Sequence, residues 1–197
     1  MIYTDAVPSI TNNHSYTAKS GWEIEQKHIK GELEVGKIIN KGIVKAAGLV
    51  NMKNRINYFK VAPEALEKIM DLEKYVKKTS IDRKLRELVK IRVSQINDCS
   101  YCLNMHIKEA KKLKVTDEQI DHLSTWKETS IYSEKEKIAL ELAENMTLIS
   151  GKGVNDELYN RVREHYDEKD YVDLVMIINQ INMWNRLSIS MGNKVNN

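Results

Sequence analysis

From Met52 onward, apolar residues recur at spacings of three and four, the period of a helix with one buried face. Pro63 suits the first turn of a helix, where its missing N–H does no harm. Leu66, Ile69, Met70, Tyr75 and Val76 give that helix an apolar side. The next begins near Ile81 or Asp82 and carries Leu85, Leu88, Val89, Ile91, Val93 and Ile96. These residues spread around much of its circumference, which predicts a central, buried helix. Asn97 and Asp98 interrupt the run, and either can cap a new helix with Cys99 in its first turn. That helix continues through Met105, Ile107, Ala110 and Leu113. Thr116 with Gln119, and Ser133 with Glu136, have the spacing of capping boxes. They predict a short helix to about Leu123 and a longer one through Ile138, Leu140, Leu142, Ala143 and Met146. Gly151 and Gly153 mark a break. Asn155 can cap a helix with Leu158 and Val162 inside, and the most apolar helix runs from about Glu168 to Ile189. No segment alternates with the period of a half-buried strand. The expectation is an all-α, compact bundle of about six or seven helices over residues 52–197.

Residues 1–51 break this pattern. The first twenty are polar and without a period, and Gly21, Gly31, Gly36, Gly42 and Gly48 punctuate the rest. Each glycine costs up to about 1 kcal/mol inside a helix. The segment is expected to be an N-terminal extension or upstream-start artefact, with Met52 opening the domain. An arm packed on a neighbouring subunit is the competing expectation.

Composition narrows the class. The chain has 197 residues, 42% hydrophobic and 30% charged, which is ordinary for one globular domain. A net charge of +3 with interleaved signs gives no footprint for nucleic acid. No apolar run approaches the roughly 20 residues that span a bilayer, and the first residues carry no leader-like apolar stretch. A cytoplasmic protein with no membrane partner is expected. In a reducing compartment a lone cysteine pair points to catalysis or metal binding more than to a structural staple.

That pair is Cys99 and Cys102, and His106 lies one turn further on. On a helix the three fall on one stripe, at i, i+3 and i+7. A thiolate at a helix start faces unpaired N–H groups and the positive end of the dipole, which lowers its pKa. An imidazole one turn away can take a thiol proton. The second thiol lies close enough to resolve an oxidised sulfur. Glu87, on the preceding helix, can orient His106 if the two helices cross. A carboxylate in an apolar run is costly to bury unpaired. Lys90 and Arg92 are its other available partners.

Other chemistries fit less well. Zinc is the stronger rival, but it needs four ligands and the stripe offers three, so a fourth would have to come from elsewhere or from another subunit; the expectation is no metal, with a structural metal site as a third alternative. His14, His28, His122 and His165 stand without ligand spacing. Leu103 occupies the histidine position of a c-type haem motif, and no strands surround the pair as in a thioredoxin fold. No cofactor is expected. On the last helix Trp184, Asn185 and Arg186, and between the cysteines Tyr101, are candidates for a pocket lining or a subunit contact. For the helix residues, core packing with a satisfied amide is the alternative.

Glu87, Cys99, Cys102 and His106, in the order E-x11-C-x2-C-x3-H, resemble the signature of the AhpD-like alkylhydroperoxidases of the carboxymuconolactone decarboxylase superfamily. The neighbouring words LVKIRVSQIN, MHIKEAKKL and INMWNRLSIS agree, and the likeness runs over roughly Met52 to Met191 in the manner of the single-repeat branch. The resemblance implies an oligomeric helical fold, a homotrimer or homohexamer. It implies a thiol peroxidase acting on hydroperoxides and reset by an external lipoyl- or thioredoxin-like dithiol. Cys102 would be the peroxidatic thiol, Cys99 the resolving thiol, and Glu87 with His106 a proton relay. The chain departs from the pattern at Tyr101, where the best-studied members carry a further relay histidine. That departure motivates the alternative of a redox-responsive oligomeric binding or stress protein with slow turnover.

Overall fold

A computed structural model describes residues 55–195. The extension expected over 1–51, the start at Met52 and the lone His14 and His28 lie outside the described residues. Those described are helical, with no strand among them. The order is α1 Tyr58–Val61, α2 Pro63–Lys77, α3 Arg83–Ile96, α4 Ser100–Lys112, α5 Asp117–Asp121, a 3₁₀ segment His122–Glu128, α6 Glu134–Thr147, α7 Asp156–Arg163 and α8 Glu168–Met191. The seven elements legible from periodicity correspond to α2 through α8. The single turn α1 and the 3₁₀ segment are too short and irregular to leave a periodic trace.

Local capping chemistry sets most of the boundaries. Pro63 opens α2, and the Asp82 carboxylate caps α3 by accepting from the amides of Lys84 and Leu85. Both capping boxes form, Thr116 with Gln119 and Ser133 with Glu136. Asn155 caps α7 and Asp167 caps α8.

The start of α4 differs from expectation. Neither Asn97 nor Asp98 caps it; Cys99 itself is the N-cap, just ahead of the first turn. Asn97 ends α3, and its side-chain amide is taken by α8. Asp98 has φ +54°, the left-handed geometry that reverses the chain between the two helices.

Helix α3 is the axis of the fold. It packs against α4, α6 and α8 and contributes Leu88, Val89, Ile91 and Val93 to the core, all wholly buried. Its central position follows from the apolar spread seen in its sequence. Among the described residues no helix is long and apolar enough to cross a membrane.

Candidate active site

The turn joining α3 to α4 carries the sulfur chemistry. Cys99 and Cys102 are bonded to each other, with their Cα atoms 5.4 Å apart. Helix geometry alone brings an N-cap residue and the residue three further on to this separation. No side chain caps the helix start, so its first amides face the sulfurs' end of the helix. Both cysteines are almost wholly covered, Cys99 at 3% and Cys102 at 1% exposure.

The acid–base pair lies one turn beyond Cys102 on α4, joined across to α3. His106 Nδ1 lies 2.8 Å from Glu87 Oε2, and both residues are buried. With the carboxylate ionised, the Nδ1–H donates to it, and Nε2 keeps its lone pair in the neutral ring. Side chains on a helix lean toward its N-terminus, so His106 leans toward Cys102 one turn before it. Burial pushes the Glu87 carboxyl upward. The hydrogen bond and charge of His106, with the cations of Lys90 and Arg86, outweigh that and hold it below the ordinary range.

Glu87 and the three residues of the stripe therefore form two bonded pairs linked through α4. Of the other partners open to Glu87, Arg92 is engaged elsewhere, while Lys90 makes no close ion pair with it and acts on it through its charge. Lys90 Nζ lies 3.6 Å from Glu73, and Arg92 Nη2 lies 2.7 Å from Glu144. Among the described residues no group of three or more His, Cys, Asp and Glu is gathered as metal ligands.

The remaining candidates take separate places. Asn185 is fully buried; its Oδ1 accepts from Asn97 Nδ2 at 2.9 Å and its Nδ2 donates to Ser94 Oγ at 3.1 Å. Asn182 Oδ1 accepts from the same Asn97 amide at 2.8 Å and from Arg186 Nη1 at 3.0 Å. These amides bind α8 to the turn that presents Cys99. Arg186 is otherwise exposed, and Trp184 packs against the core. Tyr101 is half-buried, and burial together with the neighbouring Tyr58 raises its phenol above the ordinary value. A separate surface cavity of about 250 Å³, lined by Ser80, Asp82, Ser133, Glu136, Tyr166 and Asp170 among others, includes none of these residues.

Two features escaped the sequence reading. The turn-locking role of Asn97 depends on a partner 85 residues away. The Glu73–Lys90 contact joins α2 to α3, and its only local signal is a lysine inside the apolar run LVKIRV.

The chain is similar to several known proteins. The profile of the carboxymuconolactone decarboxylase family matches residues 63–145. The uncharacterized protein YdfG of Bacillus subtilis is 57% identical over 143 residues, 73% of this chain and 97% of its own. A crystal structure from Agrobacterium tumefaciens, of a protein of unknown function described as a candidate antioxidant defence protein AhpD, superposes with a TM-score of 0.71. It shares 32% identity and covers 74% of this chain and 99% of that one. An alkylhydroperoxidase AhpD core from Ralstonia eutropha, an uncharacterized peroxidase-related protein, gives a TM-score of 0.67 at 17% identity over 82% of this chain and 86% of its own. At that identity it speaks to the fold alone.

Proposed function

The chain belongs to the carboxymuconolactone decarboxylase family, in its AhpD-like branch, and from that premise we propose that it is a thiol-dependent peroxidase reducing alkyl hydroperoxides through a dithiol–disulfide cycle. The observation that carries the proposal is the buried 2.8 Å contact between Glu87 and His106, set one helical turn beyond the Cys99–Cys102 pair.

In the reduced protein His106 Nε2 takes the Cys102 proton, and Glu87 stabilises the resulting imidazolium. The Cys102 thiolate attacks one oxygen of the hydroperoxide. The O–O bond breaks, the alkoxide leaves with the proton returned by His106, and Cys102 becomes a sulfenic acid. Cys99 gives its proton to His106 and, as a thiolate at the helix N-terminus, attacks the Cys102 sulfur; the S–O bond breaks and the hydroxide leaves as water with the proton from His106, giving the disulfide. An external dithiol, of lipoyl or thioredoxin type, supplies two electrons and two protons to restore the thiols. In sum, one hydroperoxide and one external dithiol give one alcohol, one water and one external disulfide. A homotrimer or homohexamer in the cytoplasm is the assembly that accompanies this proposal.

The test is single-turnover consumption of cumene hydroperoxide by reduced protein, with thiols counted before and after. Wild type should lose both thiols and Cys102→Ser should consume no peroxide. Full consumption by Cys102→Ser would end the proposal.

One observation favours a slower redox-responsive protein: the two cysteines are 3% and 1% exposed. A thiolate so covered meets peroxide only when the helix start opens. A second-order rate no higher than that of free dithiothreitol would favour the sensor, and one a hundredfold higher the enzyme.

A further inference from the structure

A lysine stands among wholly buried apolar residues of α3. Leu88, Val89 and Ile91 are at 0% exposure, and Lys90 between them is at 2%. A lysine is rarely covered to this extent unless its charge is balanced. Its nearest described carboxylate is Glu73 of α2, at 3.6 Å, beyond a good hydrogen bond. Glu73 also faces Lys77 at 3.6 Å and accepts from the Gln180 amide of α8. One carboxylate is thus shared by two lysines, and it does not consume the charge of Lys90.

The next acid is Glu87, one turn back on the same helix and itself buried. When His106 is neutral, Glu87 is a buried anion whose remaining cations are Lys90 and Arg86 of its own helix. That state is the one in which His106 can accept a proton. We infer that Lys90 is a positioning residue whose buried ammonium keeps Glu87 ionised while His106 is neutral, so that the imidazole stays available as a base at the dithiol.

This rests on the peroxidase reading and adds to it a residue outside the four-residue motif. The surrounding charges agree. On Glu87 act His106 from α4 and Lys90 and Arg86 from α3; Arg86 is anchored to the Val76 carbonyl at 3.0 Å. Behind Lys90, α2 brings Glu73 and Lys77, and α8 brings the uncharged Gln180. From α6 comes Glu144, already engaged by Arg92 and Trp126. Against the upward push of burial, the carboxyl of Glu87 lies below its ordinary value, first through the hydrogen bond and charge of His106 and then through Lys90 and Arg86.

The experiment follows the His106 ring resonance by NMR across pH in the reduced protein, beside the pH dependence of iodoacetamide reaction at Cys102. Without the Lys90 charge, Glu87 keeps beside a neutral His106 only Arg86, which is held to the Val76 carbonyl, and protonation of His106 is favoured. Lys90→Met should therefore raise the His106 midpoint, and the reactivity limb with it, by about one pH unit or more. Lys90→Arg should leave both near wild type. Glu73→Gln should move both down, because Lys90 then faces Glu87 alone. An unchanged or lowered midpoint in Lys90→Met overturns the inference. If Lys90→Met does not fold, an unchanged or raised midpoint in Glu73→Gln does so. Neither readout involves peroxide, so absent turnover would count against the proposed activity and leave this inference standing on its own titration.

Discussion

Two buried glutamates, Glu87 on the central helix and Glu144 on α6 packed against it, differ in a way that separates scaffold from chemistry. Glu144 and Glu87 are equally covered, at 7% exposure each, and both are held below the ordinary carboxylate range against the upward push of burial. Glu144 Oε1 accepts from Arg92 Nε at 2.8 Å and from Trp126 Nε1 at 2.9 Å, with Arg92 Nη2 at 2.7 Å. Its partners are Arg92, the Lys152 ammonium at 3.8 Å and a neutral indole donor, so nothing in that cluster exchanges a proton near neutrality. Glu87 meets an imidazole instead, the one side chain whose ordinary titration falls near pH 7. Burial and a shifted acid are thus shared features. The partner's ability to release a proton distinguishes a clamp from a relay.

The sharpest way to break this comparison is to remove each acid in turn. Glu144→Ala leaves Arg92 and the Trp126 N–H without their acceptor, and should cost about 3–5 kcal/mol in urea unfolding. The pH dependence of Cys102 alkylation in the folded fraction should stay as in wild type. A change in that profile would mean that the two acids are not functionally separate. Glu87→Gln should do the reverse. The amide still reaches the ring, so unfolding should shift by only about 1 kcal/mol. The rate of reduced Cys102 with hydroperoxide at pH 7 should fall about 100-fold, as expected when a proton relay is lost. Equal rates in Glu87→Gln and wild type would reduce Glu87 to a packing residue.

The smallest effect lies in acid. Both carboxyls have folded values below the reference of 4.5. Their contribution is therefore complete above the unfolded value and is lost as pH falls through the lower folded value. Urea midpoints should hold steady down to about pH 4.5 and then drop. Glu144→Gln and Glu87→Gln should each flatten part of that drop, by about 1 kcal/mol. A wild-type midpoint that rises on acidification would contradict the sign of both shifts.

What the sequence foretold divides along the range of the interactions. Pro63, the two capping boxes and Asn155 act within three or four residues, so their helix starts were legible at the right places. Asn97 and Asp98 looked like caps by the same local logic. The Asn97 amide instead bonds Asn182 and Asn185 across the fold, and Asp98 bends the chain, which moves the cap onto Cys99. The Cys–Cys–His stripe was readable because one helix carries it. Whether Glu87 meets His106 depends on how α3 crosses α4, which no spacing along the chain determines. The same holds for Asn185, where a satisfied amide and a subunit contact look alike in sequence, and for Lys90 with Glu73.

The sulfur bridge closes only three positions of one helix start and ties no separate element to another. Making or breaking it therefore leaves the packing of α3 against α6 and α8 without a tether to lose. Such a clasp can be fastened and unfastened many times while the garment keeps its shape.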